Sequence, residues 1–268
     1  MRRKIILFLL LIVSTISSSC GSTNGIIDNN TNYTSTTNDK SKRLEIFERL
    51  SPREYEGLSD SSLVTIITNE LIDTIPEWCF SRIPSLKAVL LTGKEIVIES
   101  NAFYACKNLQ TINLNNVIKC GENAFKMTSI GSVRMEMCES IGDFAFANCT
   151  KLREVSLSKS IKKIGDFAFS SDTALVNIYV PNGEIGSCCF MGCNQLQSVR
   201  LGNVSIIGES AFLDCTSLKE ITIPESVIEI KGEAFSVCTN LKVVRVLNRR
   251  TKIANNAFDD NTIIEYKK

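Results

Sequence analysis

Apolar residues recur along this chain on a long beat, superimposed on short local patterns. Phe80, Phe103, Phe125, Phe146, Phe169, Phe190, Phe212, Phe235 and Phe258 follow one another at intervals of 21 to 23 residues. Counting from each Phe places the other apolar positions. Six residues on stand Leu86, Leu109, Leu152, Leu175, Leu196, Leu218, Leu241 and Ile264. Nine and eleven residues on stand pairs such as Val89/Leu91, Ile112/Leu114, Ile178/Val180, Ile221/Ile223 and Val244/Val246, alternating with polar residues. That alternation predicts a short strand with one face turned inward. Five residues before the Phe comes Ile75, Ile98, Ile141, Ile164, Ile185, Ile207, Ile230 or Ile253, often followed by glycine (Gly142, Gly165, Gly186, Gly208). The glycine is expected to permit a tight bend there.

Self-similarity at such a period means one small unit stacked on itself. The fold class expected is therefore a repeat solenoid of about nine repeats, each built on the Phe-centred segment. No unit buries its own apolar face, so stability is shared between neighbours. Nine coils stacked at one strand spacing give a rod or arc about 40 Å long. Two units depart from register. After Phe125 the leucine position is filled one residue early by Ile130, and Asp172 stands where the Phe169 unit should have cysteine. Local distortion is expected at both.

The N-terminal region breaks the pattern. Arg2, Arg3 and Lys4 precede the apolar run Ile5–Val13, then the small polar stretch Ser14–Ser19 and Cys20. Nine apolar residues are about half of the roughly 20 that a membrane-spanning helix needs, so an export signal is the expectation. This end resembles a bacterial lipoprotein signal, which implies acylation of Cys20, although Ser17 stands where that pattern usually has leucine. The alternative is an ordinary signal peptide cut nearby, with Cys20 incidental. Residues 20–42 are rich in Asn, Thr, Ser and Gly, with little to bury, and predict a mobile tether. Leu44, Phe47 and Leu50 then fall at helical spacing, which predicts a short helix over 42–50 within a cap spanning 43–62. The organisation expected is a signal over 1–19, a tether over 20–42, a helical cap over 43–62 and a repeat domain over 63–268.

Charge and composition narrow the chemistry. Lys and Arg number 30 against 29 Asp and Glu, so no global field attracts nucleic acid. There is no histidine, which excludes imidazole-based catalysis and His-ligated metal sites. No pair of carboxylates converges by spacing and no glycine loop suits a phosphate, so no catalytic residue, cofactor or metal is expected. The 11 cysteines invite a disulfide framework, but Cys106, Cys149, Cys193, Cys215 and Cys238 share one column, three residues after a Phe. Placement by column suits small buried apolar groups. A disulfide elsewhere stays open, with Cys138 and Cys188 least explained by their columns. The cluster Cys188, Cys189 and Cys193 lacks the paired spacing of a zinc site.

Exposed positions of the expected strand form a second set of columns. Arg134, Tyr179, Arg200 and Arg245 share one and Arg153 lies in another, giving a mildly basic face with one aromatic. Arg and Tyr are favoured anchors of protein interfaces, so these five are the candidate contacts.

Units such as Ser217–Thr239, SLKEITIPESVIEIKGEAFSVCT, carry a Leu-x-x-Ile-x-Ile-Pro strand, a Ser-Val-x-x-Ile bend and an Ala-Phe-x-x-Cys segment. They resemble the BspA-type leucine-rich repeat. The resemblance covers about residues 63–268 and implies a right-handed solenoid of the α/β horseshoe type with one short strand per repeat. It also implies an exported, cell-surface protein that binds a protein or other macromolecule, in some members a host matrix component. A structural envelope lipoprotein without a host ligand is the alternative.

Overall fold

The computed structural model describes residues 33–35, 42–46, 50–57 and 63–267. Its backbone winds as a parallel β-solenoid of about nine turns. Each coil has three sides, because the repeat offers two apolar strand segments and one Phe-centred turn.

The first side is the strand read from the alternating positions, as at Ala88–Leu90, Glu154–Ser156 and Val243–Val246. The second is a shorter strand at the isoleucine column. It runs as one nine-stranded parallel sheet from Thr74–Ile75 to Lys252–Ile253. Thus each repeat supplies two strands where one was expected. No helix occurs among the described residues, so the α/β horseshoe expectation is corrected to an all-β coil. The physical reason is length. With 21 to 23 residues per coil and two strands to form, the remaining Phe-centred segment is too short for a helix.

The third side consists of turns, and its hydrogen bonding is regular. The N–H groups of the Phe and of the residues two before and two after it donate to carbonyls of the next coil. Phe144, Phe146 and Asn148 donate to Asp166, Ala168 and Ser170, each at 2.8 Å. This geometry needs left-handed backbone at both flanking positions. Every described residue with positive φ apart from Gly183 sits at one of them, including Trp78, Phe144 and Phe167. Such conformations cost non-glycine residues about 1–2 kcal/mol each, and the inter-coil hydrogen bonds hold them in place. All three peptide groups of each coil point the same way along the stack, so their dipoles add as in a helix, unlike those of a β-strand.

Nine phenylalanine rings stack inside this side, with centroids 5.0 to 5.5 Å apart. Tyr55 stacks on Phe80 at 5.2 Å. Arg53 and Gly57 flank it with positive φ, so residues 50–57 are a degenerate first turn in which Tyr replaces Phe.

The cysteine column has a specific chemistry. Each thiol donates to the carbonyl of the Phe one coil back: Cys106 to Phe80 (2.9 Å), Cys149 to Phe125 (3.1 Å), Cys193 to Phe169 (3.2 Å), Cys215 to Phe190 (3.3 Å) and Cys238 to Phe212 (3.1 Å). A small apolar side chain with a weak donor is what that place requires.

Three further expectations change. The helix over 42–50 gives way to strand β2 (Lys42–Ile46), which pairs in parallel with β3 (Leu63–Thr68). A strand satisfies the backbone groups along the edge of β3, which a helix could not. Within the stretch expected as a tether, Tyr33–Ser35 forms β1, antiparallel to β2. The glycine after the isoleucine serves close approach instead of a bend. A Cβ on Gly142 would lie 2.6 Å from the backbone of Gly121 in the coil before, and Gly142 has no positive φ.

Both irregular units interrupt the first strand row. At the Phe125 unit the first strand row breaks, with Thr111–Ile112 ending one sheet and Ser132–Arg134 starting another. The Phe169 unit keeps the inter-coil turn bonds of Phe167, Phe169 and Ser171, but its strand Asn177–Ile185 does not pair with Glu154–Ser156, so the row breaks there as well.

Candidate functional site

The side chains that face solvent from the first strand row form the candidate surface. Arg134 pairs with Ser156, Tyr179 with Arg200, and Thr222 with Arg245 in the parallel register. Within each of these pairs the register sets the outward residues side by side, a step of about 4.8 Å, and the three pairs belong to three separate sheets. Arg153 precedes the strand Glu154–Ser156 and joins the neighbouring column. The inward neighbours Val133, Ile178, Val180, Val199 and Val244 are buried and fix the outward orientation by alternation.

The five candidates differ in what they touch. The Arg200 guanidinium lies over the Tyr179 ring at 5.5 Å, and Tyr179 is 44% exposed. Arg245 is bracketed by Glu220 (2.9 Å) and Glu265 (3.6 Å) on the adjoining strands. Exposed pairs of this kind contribute little stability and leave the groups accessible. Arg134 and Arg153 are exposed and belong to no ion pair among the described residues. Including Lys87, Lys219 and Lys242, the face carries seven cations against the carboxylates of Glu154, Glu220 and Glu265. The candidates form an extended line and do not converge on a cavity.

A shallow groove of about 480 Å³ follows the glycine corner on the opposite flank, with Glu77, Glu99, Glu122 and Asp143 on its lip. Its carboxylates serve the stack. Glu99 accepts the Glu77 N–H (3.0 Å), and Asp143 accepts the Asp166 N–H (2.8 Å).

The column residues, Phe103, Phe125, Phe146, Phe169, Phe190, Phe212, Phe235 and the five cysteines, lie in the core; Phe258 at the last coil is half-buried. Ten described cysteines are free thiols, and nine are buried. Burial pushes the Cys106 and Cys238 thiols up to about 12, so neither is nucleophilic at neutral pH. Cys138 occupies a buried column eight residues before the Phe, shared with Ile72, Val117, Ile161, Val204 and Val227, and is explained by it. Its thiol donates to the Ser140 carbonyl at 3.2 Å, and the neighbouring Cys138 together with burial holds Cys120 well above the ordinary thiol value. Cys188 sits at a left-handed turn position and is half-buried. No group of three or more Cys, Asp or Glu residues suited to a metal ion occurs among the described residues. Cys20 lies outside them.

Two surface clusters escaped the column reading. Phe144 and Phe167, two residues before the column Phe, stack outside the core at 4.6 Å, with the Lys126 ammonium 4.3 Å from the Phe144 ring. Arg82 lies over both Trp78 (5.5 Å) and Tyr104 (5.6 Å). The missed signal was a second Phe at fixed offset in two successive units.

The family model described as the BspA type leucine rich repeat region matches residues 37–137 and 139–265, in six copies. No curated protein matches the chain. Among solved structures, a leucine rich cell surface protein from Faecalibacterium prausnitzii is similar at 19% identity, covering 92% of this chain and 96% of its own, with a TM-score of 0.44. A leucine-rich repeat protein from Bacteroides ovatus is 20% identical over 92% of this chain and 100% of its own, with a TM-score of 0.43. A leucine-rich repeat protein of T. pallidum is 20% identical over 85% of this chain and 91% of its own, with a TM-score of 0.45.

Proposed function

The chain belongs to the BspA-type leucine-rich repeat family, and from that premise we propose that it is an exported, lipid-anchored binding protein of the cell envelope. Its first strand row presents the surface that another macromolecule contacts. The observation that carries this reading is the set of solvent-facing residues Arg134, Tyr179, Arg200 and Arg245 at the same strand position of successive coils, with Tyr179 and Arg200 directly paired. A preformed, extended surface loses little conformational freedom on binding, and Tyr and Arg are side chains that anchor interfaces. The excess of cations favours an acidic partner surface such as a host matrix protein. In this reading residues 1–19 direct export, Cys20 carries the acyl chains, and the residues between it and β1 link anchor to solenoid. Two acyl chains hold a protein stably where one holds it marginally.

The test compares the parent chain with a variant carrying Arg134→Ser, Arg153→Ser, Arg200→Ser and Arg245→Ser on a panel of immobilised extracellular-matrix proteins. Loss of retention with unchanged thermal unfolding supports the strand face. Equal retention moves the site elsewhere, and no retention of the parent favours a structural envelope role. Acyl-label incorporation abolished by Cys20→Ser supports the anchor; incorporation unaffected by it rejects that anchor.

A further inference from the structure

Five coils place a thiol donor against the carbonyl of the Phe one coil back. The coil of Phe169 has Asp172 in that column instead. By the register of the column, the carbonyl assigned to residue 172 is that of Phe146. Asp172 is fully buried. Its Oδ1 accepts the Cys149 N–H at 2.8 Å, while its Oδ2 has no hydrogen-bond partner. The inter-coil turn bonds beside it are formed: Phe146 donates to Ala168 and Phe169 to Cys189, each at 2.8 Å. The inter-coil turn bonds are therefore kept on both sides of Asp172.

A carboxylate only accepts hydrogen bonds, whereas a carboxylic acid also donates one. Ionised, Asp172 would keep an unpartnered Oδ2 in an apolar core, a costly arrangement, while the Phe146 carbonyl has only the Cys149 N–H (3.2 Å), which it shares with Oδ1. We propose that Asp172 is held as the neutral acid, donating its Oδ2 proton to the Phe146 carbonyl in place of the missing thiol. The coil between Phe146 and Phe190 is thereby a pH-sensitive joint in the middle of the solenoid. It is tight while the proton is held and loosens when the proton passes to solvent.

The electrostatic surroundings agree. The titratable groups facing Asp172 are the thiols of Cys149 on the coil before and Cys193 on the coil after, both held neutral by burial. No lysine or arginine among the described residues forms an ion pair with it. Burial raises the Asp172 carboxyl well above its ordinary value of 3.8, against a smaller opposing effect of the Cys149 N–H. Because the folded value is raised, the stabilisation is complete below 3.8 and is lost as pH rises towards the folded value. Across that window the folded-to-unfolded ratio falls by about tenfold per pH unit.

The experiment measures unfolding of the full chain between pH 4 and pH 8, under reducing conditions, for the parent, Asp172→Cys and Asp172→Asn. Cysteine restores the column donor and asparagine keeps a neutral donor and acceptor. Both should lose less stability than the parent as pH rises, and the gap should widen towards pH 8. A gap independent of pH overturns the proposal. A second readout requires neither variant to match the parent's stability. Infrared spectra of the parent at pH 7 should contain a protonated-carboxyl band that is missing from either variant, and absence of that band in the parent also overturns it.

Discussion

The Cys193 thiol donates to the Phe169 carbonyl at 3.2 Å across 24 residues of sequence, joining one coil to the next from inside the core. This contact explains why cysteine, and not alanine or valine, recurs in the column. If packing alone mattered, Cys193→Val would be the mildest replacement and Cys193→Ser the harshest. The hydrogen bond predicts that serine retains about 0.5–1.5 kcal/mol more stability than alanine, and that valine loses about 1–3 kcal/mol by stranding the carbonyl. Denaturant unfolding of the three variants gives the order directly.

Phe212 stacks between Phe190 at 5.1 Å and Phe235 at 5.0 Å with no exposed surface. Phe212→Ala is expected to cost about 3–5 kcal/mol and to lower a single cooperative transition. An unchanged melting curve would contradict the stack.

Gly142 and Gly131 make a matched pair. A Cβ on Gly142 meets the Gly121 backbone at 2.6 Å, whereas one on Gly131 meets nothing within 4 Å. Gly142→Ala should destabilise by more than about 2 kcal/mol, since coil spacing must open. Gly131→Ala should be neutral or stabilise by up to about 1 kcal/mol by restricting the unfolded chain. Equal melting temperatures for the two variants would show that the coils are not in contact at that corner.

How far these features were legible in the sequence depends on the residue. The Phe, Leu and Cys columns could be counted, because identical side chains stack on themselves in a solenoid. Tyr55 was hidden because Tyr replaces Phe, Glu54 stands where other coils carry Ala or Cys, and Ser61 where most carry Leu, although Leu50 keeps the buried aliphatic five residues before. The segment 42–50 misled because Leu44 and Leu50 suit a helical face as well as they suit a strand, and only the exposed edge of β3 decides between them. Gly142 pointed to the right place for the wrong reason: close approach between coils leaves no trace in a single repeat. The outward row with Arg134, Tyr179 and Arg200 followed from alternation, whereas the Arg200–Tyr179 stacking needed the register.

Cys188 is the first of the described thiols to react. It is the half-buried one among the ten described, and burial, Asp166 and Glu209 raise it above its ordinary value. Alkylation of the native chain should modify Cys188 ahead of the nine buried thiols. Its rate should still be rising at pH 9, where an ordinary thiol is already half ionised, because only the thiolate reacts. Modification of Cys193 or Cys215 at a comparable rate would contradict their burial.

The central claim is that the first strand row is the binding face. Hydrogen–deuterium exchange on the parent chain, with and without a matrix protein that retains it, tests this most directly. Binding should slow exchange in the strands Glu154–Ser156, Asn177–Ile185 and Ser198–Ile207, and leave the turns around Phe144 and Phe167 unchanged. Protection of those turns with the strands unaffected would contradict the account.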